Sequence, residues 1–337
     1  MGRRISIGLI MFFACAISAH LIFSGSVFAY SEGDPMIFKA AIDNPPGDIK
    51  ALTIKRMGDL VEERTNGRIQ FKYFYGGSLI KKPAFADGVA KGIADISTGP
   101  VAFLTGKMPE LEPFNIFGAY DPSKQLAMVS AVRPLLIEFF SAKNIYPIMT
   151  QYTGNNIFCH KSKFLKTPAD WKGQKMRASG RFSSIMTKMW GASPVFMPPG
   201  DLYLSLQRGV IDGFLLIYDI AYGLKLYEVA PYITDTALSN TLEVVTMNLN
   251  KWKALSKEDQ QIFKAVVGEV EPWNFTETLK VTEEIKKDIV AKGGKIYELN
   301  DEEKSLYMKD VKTLEPQIEE VSKETGRKFM NILENYK

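Results

Sequence analysis

Arg177 is the residue of this chain that is best placed to bind a ligand. Residues 171–232 have the pattern of a strand that ends in Arg177, a helix, a second strand, a second helix and a third strand after Gly209. Such a βαβαβ unit builds a parallel sheet, and ligands of open α/β sheets bind at the carboxyl ends of the strands. A fixed cation at that edge predicts a site that captures an anion.

Side chains for nucleophilic or metal chemistry are scarce. After residue 29 the chain has one cysteine, Cys159, and one histidine, His160. Adjacent residues of a strand point to opposite faces, so these two are poorly placed as a nucleophile and its base. We expect a packed free cysteine beside a surface histidine. Because the chain also lacks a Gly-x-Ser-x-Gly motif and enough zinc ligands, we expect no enzyme, no metal and no cofactor.

The first 29 residues predict a secretory signal peptide. Arg3 and Arg4 precede an apolar run at residues 5–23, and residues 27–29 place small side chains where a signal peptidase cuts. Cleavage after about Ala29 predicts an exported, periplasmic protein. The alternative is an uncleaved anchor, because the apolar run is almost long enough to span a bilayer.

Charge and length limit what the exported part can be. The 42 basic residues include Arg3 and Arg4, so the remainder is nearly balanced against 38 acidic residues. Charges of both signs are interspersed, which argues against a nucleic-acid partner. About 308 residues are more than one hydrophobic core usually serves, so two domains are expected.

Helix and strand patterns alternate along the chain. Strand patterns at residues 36–42, 69–75 and 94–98 are separated by helical patterns at residues 48–64 and 83–91, which is typical of α/β architecture. Residues 91–95 and 208–212 share the pattern basic-Gly-β-branched-x-Asp, with a helical pattern before it and an apolar strand after it. This repeat is either chance or a sign of two lobes with similar connectivity and a cleft between them.

A long helical pattern covers residues 257–292, and a strand pattern at residues 296–299 and further amphipathic helix follow. At 1.5 Å per residue this helix is roughly 50 Å long, so it could contact both lobes. Pro272 predicts a kink or a break within it.

Motifs in a fixed order carry a family resemblance. They are Thr-Pro-Ala-Asp-Trp-Lys-Gly-Gln-Lys-Met-Arg at residues 167–177, Gly-Ala-Ser-Pro-Val at 191–195, Leu-Gln-Arg-Gly-Val-Ile-Asp-Gly at 206–213 and Lys-Leu-Tyr-Glu-Val at 225–229. Weaker matches occur at residues 60–68 and 75–79. The chain resembles the periplasmic solute-binding proteins of TRAP (tripartite ATP-independent periplasmic) transporters.

The resemblance implies a two-lobed periplasmic binding protein fold, with parallel-rich sheets in each lobe, crossing strands and a long helix that spans both. We assign residues 30–154 and about 241–270 to lobe I, and residues 155–240 and about 271–337 to lobe II. It also implies an organic acid as ligand and the membrane permease subunits of a TRAP transporter as partner.

The resemblance further implies that Arg177 clamps a carboxylate, which its planar donor fork fits. Asn156 stands where many family members have a second arginine, and we expect it to assist. Pro199 stands where the family has an aromatic residue, and residues 214–217 are apolar where the family frequently has Gln-Glu-Asn-Pro. This predicts a monocarboxylate with an apolar or aromatic tail.

Alternation along residues 214–217 puts Phe214 and Leu216 on one face, which would contact the tail together with Tyr218 if that face lines the cleft. The alternative is that these residues only extend a buried strand. From the opposite lobe, the strand-end residues Tyr75, Asn44 and Thr98 are further candidates.

Two other functions stay open. One is a secreted α/β enzyme that uses carboxylates such as Asp43 or Asp201 in acid/base chemistry, although no spacing marks a pair. The other is a sensory receptor that uses the same cleft and passes its signal to a membrane kinase.

Overall fold

Two β-sheets organise the part of the chain that the structure, a computed structural model, describes: residues 33–337. The predicted signal peptide and the cleavage after Ala29 lie outside the described residues. The strands are β1 (Met36–Ala41), β2 (Ile69–Phe74), β3 (Ile96–Pro100), β4 (Ile145–Gln151), β5 (Asn155–His160), β6 (Lys175–Ala178), β7 (Ser193–Phe196), β8 (Gly213–Ile217), β9 (Tyr232–Asn240), β10 (Glu243–Asn248) and β11 (Lys295–Glu298).

Helices cover both sheets. They are α1 (Ile49–Arg64), α2 (Phe85–Ala90), α3 (Gln125–Ser141), α4 (Arg181–Met189), α5 (Leu202–Gln207), α6 (Tyr218–Gly223), α7 (Leu249–Ala254), α8 (Lys257–Ala291), α9 (Asp301–Lys312) and α10 (Glu315–Leu333). None of these helices is both long enough and apolar enough to cross a membrane.

The first sheet has the order β2-β1-β3-β10-β4, and the second has the order β11-β9-β5-β8-β6-β7. In the first sheet β1 runs parallel to β2 and β3, and β10 is antiparallel to β3 and β4. In the second sheet β6 runs parallel to β7 and β8. The predicted α/β class and the predicted βαβαβ unit from β6 to β8 are therefore confirmed.

Two short loops, and later the helix α8, carry the chain from one sheet to the other. Residues 152–154 join β4 to β5, and residues 241–242 join β9 to β10. The Thr153 hydroxyl donates to the main-chain oxygen of Thr241 at 2.9 Å, so the two connections contact each other. Gly154 has a φ of +83°, a left-handed conformation that glycine adopts without strain.

The repeated motif has the same geometry in both sheets. Gly92 and Gly209 follow α2 and α5 with φ values of +73° and +70°, as expected of a glycine that ends a helix. Three residues later, Asp95 and Asp212 each bond twice to a lysine of the neighbouring parallel strand. Asp95 Oδ2 accepts from Lys39 N at 2.8 Å, and Asp212 Oδ2 accepts from Lys175 N at 2.8 Å. The main-chain N–H groups of Asp95 and Asp212 donate back to the carbonyl groups of the same two lysines at 2.9 and 2.7 Å.

The helix α8 contacts both layers. Phe263 and Val270 belong to the core of the first sheet, whereas Ile285 and Ile289 belong to a core of the second. The helix has 35 residues and continues through Pro272. Of the predicted kink or break, the break is absent, although the proline removes one backbone donor from the helix.

The C-terminal helix α10 packs beside the first sheet. The ring of Phe329 lies 5.0 Å from that of Phe114 and 6.3 Å from that of Phe139, in a core shared with α3. The lobe assignment made from the sequence places residues 271–337 in lobe II as a block. These contacts associate the end of α10 with α3, while Ile318 near its start belongs to a core with Phe158 and Met176 of the second sheet.

Candidate functional site

A cleft of about 600 Å³ lies where carboxyl ends of strands from both sheets meet. This is the position expected for a ligand site in open α/β sheets. Its lining comprises Asp43, Asn44, Pro45, Lys50, Lys82, Pro83, Pro100, Ala102, Phe103, Thr153, Asn156, Arg177, Ser179, Pro198, Pro199, Gly200, Leu215, Leu216, Ile217, Ile220, Leu224, Thr241 and Glu243.

Arg177 is a buried cation of this cleft. Its side chain leaves the end of β6 and is 7% exposed. Nε donates to the main-chain oxygen of Met197 and Nη1 to that of Leu215, both at 3.1 Å. Across residues 33–337 no carboxylate forms an ion pair with it. Burial lowers the pKa of Arg177 to about 10, so the guanidinium remains charged at neutral pH and keeps further N–H donors for a ligand.

The motif before β6 fixes the position of this strand. Asp170 Oδ2 accepts from the N–H of Thr167 at 2.8 Å and from that of Lys166 at 3.0 Å. Trp171 is buried, and its Nε1 donates to the hydroxyl of Tyr307 at 3.0 Å. These hydrogen bonds hold the turn before β6 in place, so that Arg177 lies at the edge of the sheet where β6 ends.

Asn156 lines the cleft near the start of β5, just after the loop that joins β4 to β5, and is 8% exposed. Its Nδ2 donates to Ser239 Oγ at 2.9 Å, and its Oδ1 accepts from Thr241 Oγ1 at 3.4 Å. The structure therefore brings Asn156 and Arg177 into one cavity, with the amide held by neighbours from β9 and the loop after it.

Asn44 lies in the wall of the cleft that belongs to the first sheet. Its Nδ2 donates to Asp48 Oδ2 at 2.8 Å, and its Oδ1 accepts from Lys82 Nζ at 2.9 Å. Lys82 Nζ lies 3.7 Å from Glu243 Oε1. Sequence reasoning missed Lys82 and Glu243, because neither ends a recognisable strand pattern before the sheet order is known.

Leu216 lines the cleft, whereas Phe214 and Tyr218 do not. Phe214 is fully buried and Tyr218 is 2% exposed, both in the core that also contains Cys159. The cleft lies beyond the end of β8 rather than over one face of it. Consecutive residues Leu215, Leu216 and Ile217 therefore all reach it, and the alternation argument does not select the right ones.

Tyr75 and Thr98 also lie outside the lining. Tyr75 is half-buried against the first core, with its ring centroid 6.0 Å from that of Tyr73. Thr98 is 1% exposed and stands behind the wall, where Gln151 Oε1 and the main-chain oxygen of Val244 each lie 3.2 Å from its Oγ1 and are alternative acceptors for its hydroxyl hydrogen. Of the eight predicted residues, the cleft thus contains Asn44, Asn156, Arg177 and Leu216.

Cys159 and His160 point to opposite faces of β5, as predicted. Burial raises the pKa of the Cys159 thiol and lowers that of His160. The expectation of a surface histidine is wrong, because His160 is 1% exposed. Its Nδ1 accepts from the N–H of Ser162 at 3.1 Å, and its Nε2 lies 3.0 Å from Gln174 Oε1. These bonds satisfy the ring and give it a structural role.

The carboxylates of the enzyme alternative are not paired in the cleft. Asp43 is part of the lining, while Asp201 is exposed and outside it. Among residues 33–337 no group of three or more His, Cys, Asp or Glu side chains is arranged to hold a metal ion.

Comparisons with known proteins agree on one family. The model of bacterial extracellular solute-binding protein family 7 matches residues 40–321. The C4-dicarboxylate-binding protein DctB of Bacillus subtilis is 26% identical over 288 residues, 82% of this chain and 80% of that protein. A monocarboxylate 2-oxoacid-binding periplasmic protein of a Nostoc species is 30% identical over 220 residues, 62% of this chain and 59% of that protein.

The fold agrees with solved structures. An extracytoplasmic solute receptor of Bordetella pertussis that binds pyroglutamic acid superimposes with a TM-score of 0.79 at 18% identity, over 89% of this chain and 99% of that chain. The chain belongs to bacterial extracellular solute-binding protein family 7, the solute-binding proteins of TRAP transporters. Its two-lobed α/β fold is the fold of these receptors.

Proposed function

We propose that this protein captures an organic acid in the cleft between its two sheets and delivers it to the membrane permease subunits of a TRAP transporter. The observation that carries the proposal is Arg177, a buried guanidinium in the cleft that bonds only to main-chain oxygens. Leaving a buried charge without a counterion is costly. A ligand carboxylate would supply the counterion and accept two parallel hydrogen bonds.

The remaining lining supports a single carboxylate with an apolar segment beside it. Leu215, Leu216 and Ile217 at the end of β8, with Ile220 of α6 and Leu224 just after it, form an apolar surface in the cleft that Arg177 also lines. Burying an apolar side chain is worth about 1.5–3 kcal/mol. The relatives bind a C4-dicarboxylate, a 2-oxo monocarboxylate and pyroglutamic acid, which all contain a carboxylate.

The two loops between the sheets support a closure of the two lobes around the ligand. The connections at residues 152–154 and 241–242 contact each other at the floor of the cleft, and Thr153 and Thr241 line it. We propose lobes that meet near residues 154 and 241, as the sequence predicts, with rotation about these connections. Export with removal of the signal peptide after about Ala29 completes this proposal.

Recovery of the natural ligand is the most direct test. The protein is purified from its native compartment, unfolded, and the released small molecules are identified by mass spectrometry. A receptor is supported if the recovered compound is an organic acid that the refolded protein binds again and leaves unchanged after prolonged incubation. Conversion of the acid into a product supports the enzyme alternative.

Titration calorimetry with the recovered acid then tests Arg177. We expect Arg177→Met to weaken binding at least about a hundredfold, as for a lost charge-assisted bidentate pair. Arg208→Met is the matched control, because Arg208 is exposed on the same βαβαβ unit and lies outside the cleft lining. Equal affinity of Arg177→Met and the unmodified protein would remove the anchor assignment.

A further inference from the structure

Two opposite charges in the first-sheet wall of the cleft face each other without a direct hydrogen bond. Lys82 Nζ and Glu243 Oε1 are 3.7 Å apart, and both side chains line the cleft. This separation is too long for a hydrogen bond between them. The Glu243 side chain is 4% exposed and that of Lys82 is 17% exposed, so both charges are largely shielded from solvent.

The pair has unused bonding capacity on both sides. An ammonium group has three donors and no acceptor, and a carboxylate has only acceptors. Lys82 Nζ donates to Asn44 Oδ1 at 2.9 Å. Glu243 Oε1 lies 3.4 Å from Thr98 Oγ1, a long contact, and the single hydroxyl hydrogen of Thr98 has closer acceptors. Donors of Lys82 and acceptor capacity of Glu243 therefore remain available beside the cleft that both residues line.

A purely apolar tail would be a poor neighbour for this pair. Such a tail would displace the water that solvates Lys82 and Glu243 and would offer no hydrogen bond in return. Burying polar or charged groups without replacing their hydrogen bonds costs free energy. A hydroxyl group fits, because its oxygen accepts a hydrogen bond while its hydrogen is donated.

We propose that the ligand is a hydroxylated monocarboxylate, whose hydroxyl group bridges Lys82 and Glu243 while Arg177 holds the carboxylate. This rests on the proposed function and extends it, because it assigns Lys82 and Glu243 as specificity-determining residues. The apolar residues at the end of β8 then contact the carbon skeleton between the two polar groups.

Paired probes that differ by one hydroxyl group test this. Titration calorimetry compares hexanoate with omega-hydroxyhexanoate, butyrate with gamma-hydroxybutyrate, and phenylacetate with para-hydroxyphenylacetate. The unmodified protein should prefer the hydroxylated member of at least one pair by about tenfold or more, the usual effect of a hydrogen bond to a charged group. Lys82→Met and Glu243→Gln should each reduce that ratio to below about threefold, because the hydroxylated acid then loses a hydrogen bond that its parent acid never forms.

Lys81→Met is the matched control, since Lys81 is exposed and outside the lining. Lys82→Gln provides a second variant, and thermal unfolding confirms that each variant folds. The inference is overturned if a plain acid binds as tightly as its hydroxylated partner, if the variants weaken both members equally, or if the folded protein binds no hydroxylated probe. Arg177→Met should bind neither acid of a pair, whereas Lys81→Met should keep the preference for the hydroxylated acid. This difference distinguishes a failure of the carboxylate anchor from a failure of the hydroxyl contact.

Discussion

Lys50 Nζ lies 2.5 Å from Asp219 Oδ2, and this ion pair joins α1 of the first sheet to α6 of the second. The Lys50 side chain is 1% exposed, and Asp48 Oδ2 is also within 3.3 Å of its ammonium group. Burial acts to lower the pKa of Lys50, but Asp219, Asp48 and Glu243 outweigh it and raise the pKa above its usual range. The pair therefore links both layers at the edge of the cleft.

Removal of one partner should destabilise the fold. For Asp219→Asn we expect a loss of about 1–3 kcal/mol in the free energy of unfolding, less than for a fully isolated buried charge because Asp48 remains near Lys50. Urea unfolding followed by circular dichroism measures the change. Asp59→Asn is the control, since Asp59 forms an exposed ion pair with Lys55 and should cost under about 1 kcal/mol.

The raised pKa of Lys50 should keep this ion pair intact in mildly alkaline solution. A lysine whose pKa is raised in the folded state contributes stability that is complete below its ordinary pKa and is lost only as pH rises through the folded value. The destabilisation caused by Asp219→Asn should therefore be constant between about pH 7 and about pH 9. A difference that shrinks steadily over this range would show that Lys50 titrates there.

Gly154 should not tolerate a side chain. Its φ of +83° is left-handed, and an added Cβ would lie 3.4 Å from Thr282 Oγ1. Gly154→Ala should lower the unfolding free energy by about 1–2 kcal/mol because of backbone strain. Gly268→Ala in α8 is the control: its surroundings are open, and alanine there should stabilise the helix by up to about 1 kcal/mol. Equal effects of the two substitutions would contradict the strain argument.

His160 should make stability depend on pH in mildly acidic solution. It is the only histidine after residue 29, and burial lowers its pKa. The unfolded chain therefore binds a proton more readily than the folded one, so stability should fall as pH drops through the ordinary histidine range. Urea unfolding at several values between about pH 5.5 and about pH 7.5 measures this slope. His160→Gln should flatten it; an unchanged slope would assign the effect to carboxylates.

Cys159 should report global unfolding. It is buried within the core of the second sheet, and burial raises the pKa of its thiol. Since the thiolate is the reactive form, a disulfide reagent should modify the folded, signal-peptide-free protein far more slowly than the protein in urea. The reaction midpoint along a urea series should coincide with that from circular dichroism. Rapid modification without urea would mean that β5 opens locally.

Most of the architecture is local in origin, and this explains why the sequence predicts it. The glycines at positions 92 and 209 end helices, and the aspartates three residues later bond to the adjacent strand. The long pattern at residues 257–292 matches α8 to within one residue at its end. The helix does not break at Pro272, because packing of α8 on both cores keeps it continuous despite one missing hydrogen bond.

The candidate site, unlike the architecture, could be predicted only in part from local sequence patterns. By itself the sequence determines the strand-end position of Arg177, because a four-residue strand between a glycine turn and a helix can be recognised locally. Only the tertiary structure decides what surrounds this arginine. The cleft lies beyond the ends of the strands, so it selects consecutive residues at the end of β8 and leaves Phe214 and Tyr218 in the core. Lys82 and Glu243 are 161 positions apart in the chain and meet because β10 inserts between β3 and β4; such pairing depends on sheet order, which no local pattern contains.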